Sequence, residues 1–257
     1  MKKLIVIAAF FCNYFVSAQT VMESTYVDVP LNKVQRFIEL HKKVTDLSQG
    51  EGRTIQEHWV YRHWYGSGDA ILIYDEYNSA QDAIYDNFNA AYKKKYEGLS
   101  ADAKKEMDAI FTEWWSFFNG HWDEMRVIDY EKDFVSKENV DWDIPFVFVV
   151  GTYNTTGKPS EMAEAYMNWQ TRPLVADGLQ LGGGVTKHYK GAGADLEFFG
   201  AFKTIVDFAA AITDQGTANT EARNSFWSLV DGPHADQIYS HVGHLVDGTF
   251  DLAGKDK

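Results

Sequence analysis

The sequence predicts an α+β fold in which one β-α-β-β-α-β unit occurs twice in the chain and the two copies close a single barrel. Three observations carry this. Arg62-His63-Trp64-Tyr65-Gly66-Ser67-Gly68-Asp69 and the apolar run 70–77 recur as Lys187-His188-Tyr189-Lys190-Gly191-Ala192-Gly193-Ala194-Asp195 and the run 196–202. Further on, Trp115-Ser116-Phe117-Phe118-Asn119-Gly120-His121-Trp122-Asp123 aligns with Trp227-Ser228-Leu229-Val230-Asp231-Gly232-Pro233-His234-Ala235-Asp236, one proline being inserted. Finally, the spacing of apolar residues switches between period 2 and period 3.6 in the same order in both halves.

In the first half, 26–29 reads as a short strand stopped by Pro30. Leu31, Val34, Phe37, Ile38, His41 and Val44 then form the stripe of a helix that ends before Gly50. Residues 54–65 alternate as a second strand, Gly66-Ser67-Gly68 supplies a hairpin turn, and 70–77 returns as a third strand. Helical patterns cover 80–96 and 101–118, separated by Gly98, with Ser100 as N-cap of the second. Residues 125–130 close the unit as a fourth strand. The second half repeats the order: strand 146–153, helix 160–175, strands 180–189 and 196–202, helices through Ala211 and over 220–229, strand 238–245. The polar stretch 131–143 reads as a linker. The organisation is therefore a leader over 1–18, a first repeat over 19–130, the linker, and a second repeat over 144–257.

Composition bounds the function. Of 257 residues, 45% are hydrophobic and 24% charged, enough to bury a globular core. Lys2 and Lys3, the apolar run 4–16 and Val16-Ser17-Ala18 have the form of a secretory signal, with Gln19 as the expected mature N-terminus. Its removal leaves 22 basic against 37 acidic residues and moves the formal charge from −13 to −15. Nucleic acid is disfavoured as a partner at that charge. The one cysteine, Cys12, lies within the signal, so the mature chain has no disulfide, thiolate metal site or cysteine nucleophile. No later apolar run reaches the roughly 18 residues of a membrane span. The expectation is a secreted or periplasmic protein, monomeric or homodimeric.

The order β-α-β-β-α-β is the ferredoxin-like unit, whose helices cover one face of a four-stranded antiparallel sheet. Two copies bury their open faces against each other, as two chains otherwise would in a dimer. The chain thus resembles the dimeric α+β barrel superfamily, which includes EthD-like, antibiotic-biosynthesis-monooxygenase-like and NIPSNAP-like proteins. Tyr166-Met167-Asn168-Trp169-Gln170-Thr171-Arg172-Pro173-Leu174-Val175 is similar to the first-helix motif of EthD-like members, a tryptophan followed by His-x-Pro-Leu. Thr171 or Arg172 stands where that histidine is expected. The resemblance implies either cofactor-independent monooxygenase chemistry or, as in some barrel relatives, a haem held by a histidine.

Candidate residues come from the repeats. His63 and His188 hold equivalent places near the end of the second strand and are the candidate catalytic groups, as imidazoles that titrate near neutrality. Period-2 alternation puts Trp59, Tyr61 and Tyr65 on the same face as His63, and Gly184 and Thr186 on the same face as His188. With Trp169 these are the candidate ligand-binding residues. One good pocket is expected, in the second half, where Gly182-Gly183-Gly184 leaves space. A metal-dependent alternative uses His63, His121 and Asp123, or His188, His234 and Asp236, each two imidazoles and a carboxylate. Against it, the same residues serve as turns leaving a helix. His41, on the stripe of the first helix, reads as a buried imidazole satisfied by a backbone carbonyl, and His58 and His244 as surface or packing residues. The 8 Trp, 14 Tyr and 17 Phe suit the wall of a small-molecule site, although most must fill the core. Neither glycine-rich segment opens a helix after a parallel strand, and no Gly-x-Ser-x-Gly or His-Glu-x-x-His occurs, which disfavours dinucleotide sites and common hydrolases. The expected function is binding of a small, partly apolar ligand inside the barrel. The enzyme alternatives are the monooxygenase, a His/Asp metal oxidoreductase and the haem protein; the cofactor is not specified.

Overall fold

The computed structural model describes residues 19–214 and 219–254; the proposed signal over 1–18 lies outside them. The first repeat contains β1 (Thr20–Val27), α1 (Val34–Ser48), β2 (Glu57–Gly66), β3 (Ile71–Tyr77), α2 (Ala80–Tyr85), α3 (Phe88–Glu97), α4 (Ala101–Ser116) and β4 (Trp122–Ile128). A short helix α5 (Tyr130–Asp133) and strand β5 (Phe134–Ser136) follow. The second repeat has β6 (Val147–Thr155), α6 (Pro159–Tyr166), α7 (Arg172–Ala176), β7 (Gly182–Gly191), β8 (Leu196–Phe202), α8 (Ile205–Asp214), α9 (Thr220–Leu229) and β9 (Val230–Val246), with β10 (Thr249–Leu252) after it.

Around the barrel the order is β2-β3-β1-β4-β7-β8-β6-β9, and β9 pairs with β2 to close it. Every neighbouring pair is antiparallel. Each repeat contributes four strands in the order second, third, first, fourth, and the two seams join the second strand of one repeat to the fourth of the other. This is the duplicated ferredoxin-like barrel that the repeats predict. Closure leaves no free edge among these eight strands, which removes a hazard of open sheets. Both hairpins fall at the same end of the barrel. Gly66 (φ 102°) and Gly191 (φ 105°) take the left-handed backbone those turns require, at equivalent places in the two repeats.

Side-chain alternation divides each strand between two environments. Outward residues Val27, Val60, Ile71 and Ile73 pack under α1 and α4 with Phe37, Leu40, Val44 and Trp114. In the second repeat Val185, Leu196 and Phe198 pack under α6 and α9 with Met162, Met167, Trp169 and Phe226. Inward residues Met22, Tyr26, Tyr61, Leu72, Tyr74, Phe146, Phe148, Val150, Ala201 and Tyr239 form a separate cluster inside the barrel.

The structure corrects several boundaries. β1 starts at Thr20, because Thr20–Tyr26 pairs with β4 on one side and most of the strand with β3 on the other. The helix expected over 160–175 is α6, a π-helical turn Met167–Thr171, and α7. Pro173 has no N–H to continue the ladder, and the turn widens ahead of it. β9 begins at Val230, so His234 and Asp236 are strand rather than turn residues. The expected linker is part of the barrel wall, since Phe134–Ser136 pairs with Gly182–Gly184. β10 pairs with β9, yet Phe250 is fully buried in the core of the first repeat.

Candidate functional site

A cavity of about 440 Å³ occupies the end of the barrel opposite the hairpins. Its walls come from both repeats. β2 supplies Glu57, Trp59 and Tyr61, β3 supplies Tyr74 and Glu76, and β1 supplies Met22; from the second repeat come Phe146, Phe148, Phe199, Ala201 and Gly182. Tyr130, Phe134, Ser136 and Trp142 of the segment between the repeats complete it. Tyr61 and Phe148 stack at 4.1 Å, and Trp142 meets Trp59 and Phe146 edge to face at 6.3 and 5.6 Å. Such a lining has the shape and chemistry that suit flat apolar bodies.

Among the described residues the acidic groups of this cavity are the carboxyls of Glu57 and Glu76. Glu57 and Glu76 are directly opposed across β2 and β3. The Tyr130 hydroxyl donates to Glu76 Oε1 at 2.5 Å. Burial pushes the Glu76 carboxyl up to about 7, with the neighbouring Glu57 adding to the rise against the opposing effect of Tyr130. Burial raises Glu57 too. The Tyr61, Tyr74 and Tyr130 phenols are held protonated, chiefly by burial. Glu76 is therefore poised to exchange a proton near neutral pH, the range a general base needs.

Beyond Tyr74 the barrel is filled. The Tyr74 hydroxyl donates to Glu197 Oε1 at 2.9 Å, and the Tyr26 hydroxyl lies 3.2 Å from both Glu197 Oε2 and Glu124 Oε1. Arg126, fully buried, donates to Glu124 Oε2 at 2.7 Å and to Thr186 Oγ1 at 2.6 Å. This network plugs the hairpin half of the interior and confines the cavity to the other end.

The residues singled out from the sequence divide accordingly. Tyr61 lines the cavity. His63 shares its inward phase but lies nearer the hairpin, edge to face with Tyr239 at 5.4 Å, its buried Nε2 without a protein partner. His188 stands at the hairpin rim, its Nε2 3.2 Å from the Gly191 carbonyl. Neither reaches the cavity. Tyr65 is 74% exposed at the same rim. Trp169 is behind the sheet, against Phe226 and Tyr166 in the helix-covered core. Thr186 is inside the barrel, engaged by Arg126. Gly184 leaves room for protein and not for a ligand, because a Cβ there would lie 2.4 Å from the Asp133 carbonyl oxygen. The metal triads do not assemble either. His121 pairs with Asp123 and His234 with Asp236, each at 3.2 Å on the surface, and among the described residues no three His, Cys, Asp or Glu side chains gather as ligands.

His41 and His58 belong to a second buried cluster, under α1 and α4. The Trp114 indole N–H donates to His41 Nδ1 at 3.1 Å, which leaves the His41 proton on Nε2, 2.9 Å from His58 Nε2. His58 Nδ1 then faces Asp75 Oδ1 at 2.5 Å. His41 thus finds side-chain partners in place of the expected carbonyl, and His58, at 6% exposure, is the packing rather than the surface residue of the two alternatives. His244 is buried as well, stacked on the outer face of Trp59 at 4.2 Å.

Sequence reasoning missed Glu57, Glu76, Tyr130 and Trp142. For the first two the signal was present: Glu57-Trp59-Tyr61 and Leu72-Tyr74-Glu76 each continue the inward alternation. For Trp142 there was none, since its segment was read as a connector, and Tyr130 was read as the end of the fourth strand.

No family model and no curated protein matches the sequence. Solved structures do. The chain is similar to an anthrone oxidase-like protein, with a TM-score of 0.56 at 13% identity over 93% of this chain and 95% of that one. It is similar to a candidate monooxygenase of Fusobacterium nucleatum, with a TM-score of 0.59 at 11% identity over 91% and 98%. A third, a candidate monooxygenase of Lactobacillus acidophilus, gives 0.54 at 7% identity over 92% and 97%. Likeness at these identities establishes the fold alone, a closed α+β barrel of two ferredoxin-like repeats in one chain. A haem held by a histidine does not fit the cavity, since among the described residues its lining offers no imidazole.

Proposed function

We propose that this is an exported small-molecule-binding protein that takes a flat, largely aromatic ligand into the cavity end of the barrel, with Glu76 as its proton acceptor. One observation carries this: a half-open aromatic cavity whose buried carboxyl is held near neutrality and hydrogen-bonded by Tyr130 at 2.5 Å. The composition of 1–18 supports export. Trp59 and Trp142 make binding observable. Titration with 2-naphthol should quench tryptophan fluorescence saturably, and Ala201→Phe, which fills the cavity from β8, should abolish the quenching. Quenching that survives this change would place the ligand elsewhere.

A second reading is cofactor-independent oxygenation of such a ligand. A base titrating near 7 favours it, since removing a proton from a phenol or enol raises its electron density toward dioxygen. The names of the similar structures point the same way. Oxygen consumption in the presence of a bound anthrone, lost in Glu76→Gln, is the expected outcome; binding without consumption leaves the binding function alone.

A further inference from the structure

We propose that the cavity is built for an organic cation, a protonated or quaternary amine on a flat apolar body, with its charge beside Glu57 and Glu76 and its body among Trp59, Tyr61, Trp142 and Phe146. This rests on the reading of the cavity as a binding site and adds the charge class of what enters.

The lining carries the inference. Among the described residues it contains two carboxyls and neither lysine nor arginine, while nine of its fifteen residues are aromatic. The barrel does hold a buried guanidinium, but Arg126 is committed to Glu124 and Thr186, away from this cavity. An anionic ligand would thus meet two acids and no counter-charge. A neutral ligand would leave the acids as they are, directly opposed across two strands, an arrangement that costs stability. A cation relieves that repulsion and gains further from the ring faces, whose quadrupoles attract positive charge more strongly when water is excluded. The formal charge of −13 favours approach of cations from solution.

Proton linkage provides an independent readout. Glu76, held up to about 7 by burial and by Glu57, is part-protonated at neutral pH, and an adjacent cation favours its ionised form. Binding should therefore release protons near pH 7 and tighten as pH rises through that value.

The test is calorimetric titration of the full chain with phenethyltrimethylammonium and with 2-phenylethanol, matched in their aromatic body. At pH 8 the cation should bind at least about tenfold more tightly, and its enthalpy near pH 7 should vary with the ionisation enthalpy of the buffer. The Glu57→Gln/Glu76→Gln double variant should reduce the preference to about threefold or less and abolish the proton release. Should that variant fail to fold, the wild-type preference measured from pH 5.5 to 8 decides, rising with pH if the carboxyls hold the charge. Equal or better binding of the alcohol, or a preference indifferent to both changes, overturns the cation assignment and leaves the cavity reading standing. Binding of neither probe, nor of 2-naphthol, overturns both.

Discussion

Replacing Glu76 by glutamine isolates the cost of holding a carboxyl in this cavity. The amide oxygen keeps the acceptor for Tyr130, and the side chain keeps its volume, so the variant loses only the ability to ionise. Raising a carboxyl from 4.5 to about 7 makes its ionisation in the folded protein costlier by up to about 3 kcal/mol. The sign follows from which state holds the proton. Below about pH 4.5 the group is protonated both folded and unfolded, and it contributes nothing to pH dependence. Between there and about pH 7 the unfolded chain ionises while folded Glu76 does not, so wild-type stability falls as pH rises; above 7 the loss is complete. Glu23, raised to about 7 by burial and by the nearby Asp75, Asp123 and Asp86, acts in the same window but is common to both proteins. Urea unfolding across pH 5 to 8 should give the variant a gain that grows from about 1 kcal/mol to about 3 kcal/mol. Parallel profiles for the two proteins would refute the assignment of a neutral-range carboxyl to Glu76.

Arg126→Met should cost about 3–5 kcal/mol in urea unfolding, because it leaves Glu124 and Glu197 buried without a cation; a loss under about 1 kcal/mol would show that the network is not held by charge. Phe250→Ala should cost about 3–5 kcal/mol although Phe250 lies in the last strand, since its ring fills the core of the first repeat; a surface-like effect would deny that β10 ties the repeats together. Burial, and secondarily His58, holds the His41 imidazole well below its ordinary value, so its ring ¹⁵N shifts should stay those of the Nε2–H tautomer at pH 5.5. The unfolded chain takes up that proton first as pH falls below about 6.5, and stability should decline there. Titration of His41 at an ordinary imidazole value would contradict the buried chain from Trp114 to Asp75.

The repeated hairpin and helix-exit segments, with the alternating periods between them, determined the fold class. They did so because covering one sheet face with helices leaves the other apolar and in need of a partner, which the second copy supplies. Alternation also determined which residues of β2 face inward, Trp59, Tyr61 and His63 together. It could not determine height along the barrel, since period 2 reports a face and not a depth. The repeated histidines stood out because duplication preserved them, yet the hairpins that carry them share one end of the barrel, which Arg126, Glu124, Glu197 and Tyr26 fill from strands distant in sequence. The cavity lies at the other end. Its existence depends on Tyr130, read as the end of the fourth strand, on Phe134 and Trp142 folding back from a polar segment that resembled a connector, and on the glycines at 182–184 admitting the backbone of 133–136 where they had suggested room for a ligand. Glu76 is an ordinary strand acid by sequence. Only the closed barrel, which buries it beside Glu57 and under Tyr130, moves its proton affinity into the neutral range.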